Sequence, residues 1–102
     1  MEPTGLRDAL AELARECGVS VRVLRSAGDT APGLASGPAL VRGAPWVVLV
    51  ASDPAALQVA ALAKGLVRFA SSSLDARYLP PAVRAALDRA SEEQEAGEQE
   101  TR

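Results

Sequence analysis

Apolar residues at Leu6, Leu10, Leu13 and Cys17 recur at steps of four, three and four, the spacing of one face of an α-helix. Ala9 and Ala14 widen that stripe, while Arg7, Asp8, Glu12, Arg15 and Glu16 lie mostly outside it. With Thr4 as N-cap and Gly18 as a left-handed C-terminal cap, the spacing predicts an amphipathic helix of roughly 13 residues. The period then drops to two. Val19-Ser20-Val21-Arg22-Val23 alternates throughout and predicts a half-buried strand, with Arg25 just beyond it. Ser26 to Pro38 contains three Gly, two Pro and an Asp and is expected to be a loop of functional length.

Ala39-Leu40-Val41-Arg42 and Trp46-Val47-Val48-Leu49-Val50 form two further strands around Gly43-Ala44-Pro45, for which an antiparallel hairpin is the simplest pairing. The second is apolar on both faces, so it is expected to be central and covered by helices. Asp53-Pro54 has the form of an N-cap followed by proline at the first helical position. The helix it opens is expected to run to about Ala70, with Gln58, Lys64, Gly65 and Arg68 sharing one face and Ser71-Ser72-Ser73 ending it. A connector from Leu74 to Leu79 carries Tyr78. Pro80-Pro81 then starts a last helix with Val83, Ala86, Leu87 and Ala90 on one side. The predicted fold is α+β, a small antiparallel three-stranded sheet packed against helices in the order α-β-β-β-α-α.

Charge divides the chain. Residues 91–102 hold five Glu and one Arg, a net of −4, against eight acids and ten bases in residues 1–90; together they give the formal −2. The acidic stretch has no large apolar residue, so it is expected to be a disordered tail, with a short helical extension as the alternative, on a single domain spanning residues 1–90. A body at +2 is weakly basic for a nucleic-acid binder. Among 102 residues, 21 are Ala, 13 Leu and 10 Val, and 10 of the 11 basic residues are Arg. That usage suggests a high-GC bacterial genome. One cysteine excludes an intramolecular disulfide. The N-terminus lacks the pattern of a signal peptide and no stretch is apolar enough for a membrane span, so a cytoplasmic protein is expected.

Histidine is absent, which removes His-based triads, imidazole metal ligands and imidazole acid/base chemistry. The carboxylates of residues 1–90 are scattered, and Asp53 is better read as a helix cap. Cys17 reads as a small core residue. Gly33 to Gly37 and Gly37 to Gly43 do not match a phosphate loop. Ser71-Ser72-Ser73 after Lys64 is a helix terminus rather than a Ser–Lys pair. No cofactor and no metal are expected.

The element order and the stretch Leu62-Ala63-Lys64-Gly65-Leu66-Val67-Arg68 resemble the N-terminal core of ImmA/IrrE-type zinc metallopeptidases, which carry Leu-Ala-His-Glu-Leu-Gly-His on the helix after the hairpin. The likeness extends over about residues 6 to 88. Leu62, Ala63 and Leu66 match the scaffold. Lys64 and Arg68 stand where that family has its metal-binding histidines, and Gly65 where it has its glutamate. Two permanent cations would repel a metal ion, so the resemblance implies a relative of the fold without its zinc chemistry. Tyr78-Leu79-Pro80-Pro81-Ala82-Val83-Arg84 is also similar to a Tyr-Leu-Pro-Pro-x-Val/Ile-Arg segment of other small bacterial proteins.

The function expected from these residues is a non-catalytic protein–protein interaction module, an adaptor or regulator of a larger signalling protein such as a small GTPase or a polarity scaffold. Arg42, Trp46, Lys64, Arg68 and Tyr78 are the candidate partner-binding residues. Trp and Tyr are enriched in interface hot spots, and the cations could dock an acidic partner or the Glu-rich tail. A homodimer remains open. Two alternatives belong to other classes: a nucleic-acid-linked regulator of the antitoxin or transcription-factor kind, and a small hydrolase or metalloenzyme.

Overall fold

A computed structural model describes residues 2–25 and 36–100, with 94–100 described by backbone alone. Its elements are α1 (Pro3–Glu16), β1 (Ser20–Leu24), β2 (Gly37–Val41), β3 (Ala44–Val50), α2 (Ala55–Asp75) and α3 (Pro81–Glu100). The α+β class and the element order are as expected. The acidic stretch continues α3 as far as Glu100. The expected loop at 26–38 lies outside the described residues except for its end, where Ser36 is followed by the first residues of β2.

The sheet corrects one expectation: it is mixed, not antiparallel. Its order is β1-β3-β2, with β1 parallel to β3 and β2 antiparallel to it. The central position goes to the strand best suited to it. Trp46-Val47-Val48-Leu49-Val50 has apolar side chains on both faces, whereas Pro38 in β2 and Arg22 in β1 suit edges. The long connection from β1 to β2 lets the chain pass the central position first, and the hairpin then inserts β3 alongside β1.

The hairpin loop is Arg42-Gly43, both left-handed at φ 52° and 81°, the two-residue turn whose twist matches paired strands. Ala44 and Pro45 are therefore strand residues. Pro45 is tolerated in a central strand because β1 begins pairing only at Trp46, opposite Ser20.

Val47 and Leu49 point to the helical side and are fully or almost fully buried. On them sit Leu62 and Leu66 of α2, joined by Leu10, Leu13 and Ala14 of α1, while Leu79, Val83, Leu87 and Ala90 extend the core to α3. The polar face expected on α2 is also corrected. Gln58 and Gly65 are buried toward the sheet, Lys64 is half-buried and Arg68 is exposed. At Gly65 a Cβ would clash with Val47 Cγ2, so the absence of a side chain sets how closely helix and strand approach.

Two helix boundaries differ. α2 has non-helical dihedrals at Ala70 (φ −138°, ψ 24°) but resumes through the serines to Asp75. Serine competes for the backbone without forbidding a helix, and burying Leu74 carries the chain past the kink. At the start of α1 the N-cap is Glu2, so Thr4 lies within the first turn; Gly18 closes the other end at φ 84°.

Gly65→Ala is expected to destabilise the fold by about 1–2 kcal/mol in urea unfolding, since overpacking against immobile Val47 outweighs the roughly 1 kcal/mol a helical Gly→Ala change gains elsewhere.

Candidate interaction surface

Because α1 and α2 lie on the Val47/Leu49 side and α3 packs on α2, the opposite face of the sheet has no helix on it among the described residues. Alternation along the strands places Ser20, Arg22 and Leu24 of β1, Trp46, Val48 and Val50 of β3, and Ala39 and Val41 of β2 on this face, where Val50 is 1% exposed. β3 is thus central as expected, but helix-covered on one side only. The Arg22 guanidinium lies over the Trp46 ring, 4.8 Å from its centroid, a cation–π geometry. Trp46 and Val48 remain half-buried under it.

The other expected residues lie elsewhere. Arg42 is exposed in the hairpin turn, on a left-handed backbone that a non-glycine residue adopts at a cost. Lys64 Nζ approaches Glu93 Oε1 at 3.9 Å, so it meets a carboxylate of the acidic stretch. Both side chains are about half exposed, where such a pair contributes little. Arg68 stands one helical turn beyond Lys64, its guanidinium 5.4 Å from the Phe69 ring. Tyr78 is 86% exposed on the connector before α3. Arg42 and Trp46 belong to one hairpin and Lys64 and Arg68 to one helix turn, so the five form no single cluster.

Sequence reasoning missed a polar network at the carboxyl end of β3. Pairing with β2 begins at Gly37 opposite Val48, leaving the Val50 peptide groups beyond the ladder. Side chains take over there. Val50 N–H donates to Ser36 Oγ (2.9 Å), whose hydroxyl donates to Asp53 Oδ2 (2.8 Å). Gln58 Nε2 donates to Val50 O (2.8 Å), and Gln58 Oε1 accepts from Arg7 Nη1 (3.0 Å). Asp53 therefore does not cap α2. Its Oδ2 holds Ser36, and Pro54 occupies the N-cap position without a side-chain bond. The signal was present at Gln58, a polar residue two turns before Gly65 on one helix face.

Beside β1, a groove of about 430 Å³ runs between that strand and α1. Val21, Val23 and Leu49 form its apolar wall, with Ala11, Arg7 and Arg15 on the helix side. Arg7 pairs with Asp8 and Arg15 with Glu12. Cys17, the free thiol, is half-buried against the core. No group of three or more His, Cys, Asp or Glu able to hold a metal occurs among the described residues, and none of their helices is long and apolar enough to cross a membrane.

Gln58→Leu is expected to cost about 1 kcal/mol in denaturant unfolding, because the buried Gln58–Val50 O bond is lost, while Val50 O keeps the Asp53 N–H at 3.0 Å and Arg7 keeps Asp8. Replacing Arg42 by Asn, which accepts the left-handed turn position more readily, is expected to raise stability by about 0.5–1 kcal/mol in the same assay. Compared with protein-family models, with curated proteins and with solved structures, the chain matches none.

Proposed function

We propose that this chain is a non-catalytic protein–protein interaction module, an adaptor or regulator that offers a partner the face of its sheet on which no helix lies among the described residues. One observation carries this reading: the only tryptophan lies half-buried on that face, beneath an arginine and beside Val48 and Ala39. Large aromatic and guanidinium groups in one patch are what interface hot spots are made of. The likeness to the metallopeptidase helix is compatible with such a role: Gly65 serves packing, and the cations on either side of it are left for surface contacts.

Affinity purification of the tagged full chain from its host tests this. A partner should co-purify with the parent and with Arg84→Ala, and fall by about tenfold or more with Trp46→Ala, the loss typical of a hot-spot residue. Identical co-purifying proteins for the parent and Trp46→Ala, or turnover of a substrate by the purified chain, would overturn the proposal.

A further inference from the structure

The two edges of the sheet are not equivalent. Val41 and Ala44 close the two-residue hairpin, so alternate residues Val41, Ala39 and Gly37 face β3 with their peptide groups and Pro38 faces outward. The outward donor that β2 would offer at that position is missing, as befits a guarded edge.

On β1, Leu24 O accepts from Ala51 N at 2.8 Å while Leu24 stands opposite Val50. In a parallel ladder this turns the peptide groups of Ser20, Arg22 and Leu24 toward β3 and those of Val21 and Val23 toward the free edge. That edge has no proline, and Val23 is 57% exposed. The side chains of Val21 and Val23 line the groove against α1, and Arg22 projects to the opposite face. A strand laid on this edge would therefore find donors and acceptors that are unpaired among the described residues, an apolar groove for alternate side chains, and a guanidinium on the other side.

Resting on the reading of this chain as an interaction module, we propose that β1 accepts an extended peptide by antiparallel strand addition, and that the peptide alternates apolar with acidic residues. Apolar side chains enter the groove beside Val21 and Val23. Acidic ones lie on the Arg22 side. Charge selects this occupant: Asp8 and Glu12 on the groove rim are paired with Arg7 and Arg15, whereas Arg22 and Arg25 form no salt bridge among the described residues. A second copy fits less well, because a two-fold pairing centred on Arg22 would oppose two like charges at cross-strand distance.

The register fixes which peptide amides matter. Directly opposite residues of an antiparallel pair point to the same face, so the groove-facing residues of the peptide are those bonded to Val21 and Val23. The test uses the full chain and a labelled peptide, Gly-Val-Glu-Val-Glu-Val-Glu-Gly, followed by fluorescence anisotropy. The Glu peptide should bind about tenfold tighter than its Lys counterpart, and Arg22→Glu should reverse that order. N-methylation at the Val nitrogens should abolish binding, while N-methylation at the Glu nitrogens should be tolerated. Val23→Pro, which removes an outward donor and keeps an apolar ring on the groove side, should weaken binding by about tenfold with the circular dichroism spectrum unchanged.

Equal binding of the Glu and Lys peptides, or of the two N-methylated peptides, would overturn the proposal. So would a chain that sediments as a dimer with the Val21 and Val23 amides protected from exchange, since a second copy would then hold the edge. Should the peptides fail while Trp46→Ala still releases the co-purifying partner, strand addition alone is wrong. If instead the peptides bind as described and no partner depends on Trp46, the edge stands and the sheet-face reading falls.

Discussion

The close seating of α2 on the central strand governs the arrangement of the other elements. At Gly65 there is no room for even a methyl group against Val47, so the helix axis lies nearer the sheet than a larger residue would permit. Gln58 lies two turns earlier on the same face, and that registry brings its amide to the end of β3, where Val50 O has passed beyond the ladder. The same turns present Leu62 and Leu66 to the core and leave room beside them for the alanines and leucines of α1. Packing and polar satisfaction are thus set by one helix register. A rotation of α2 that relieved Gly65 would also withdraw Gln58 from its partner.

A helix layer on a single side leaves β3 with a consequence. Its side chains are apolar on both faces, yet only Val47 and Leu49 lie beneath helices. On the other face the Arg22 guanidinium lies over Trp46, and no helix covers the ring among the described residues. Such a screen is adaptable: a long side chain can swing aside and expose the ring, or hold it while its own donors engage a partner.

Much of this was legible in the sequence, because the periods were clean. The 3.6-residue repeat of Leu6, Leu10 and Leu13 identified a helix and the face it buries, while the alternation around Val21 and the doubly apolar run of β3 identified strands but not which of their faces the helices cover. Strand direction was not legible. It depends on whether the β1–β2 connection passes the central position, and local pattern carries no trace of that path. Asp53-Pro54 misled for a related reason: its local signal is that of a cap, but a distant serine competes for the same carboxylate. Gln58 and Gly65 looked like part of a polar face because glycine and glutamine are counted as polar. On this helix one supplies an absence of volume and the other a hydrogen bond to a strand end. Of the expected contact residues, Trp46 could be placed on a strand, but its covering by Arg22 follows from the parallel pairing of β1 with β3 and could not be foreseen from an antiparallel sheet.

That pairing also explains why Arg22 belongs to two surfaces at once. Parallel alignment sets Ser20 opposite Trp46 and Arg22 opposite Val48, so the guanidinium reaches diagonally back over the ring while its Cα lies on the outermost strand. An antiparallel β1 would point its alternate peptide groups by a different rule and would break the link between edge and face. As built, the one strand without a proline guard carries the cation that covers the tryptophan. A negative charge arriving along that edge must therefore compete with the ring for Arg22 or share it. The edge and the face are in this way joined through one side chain.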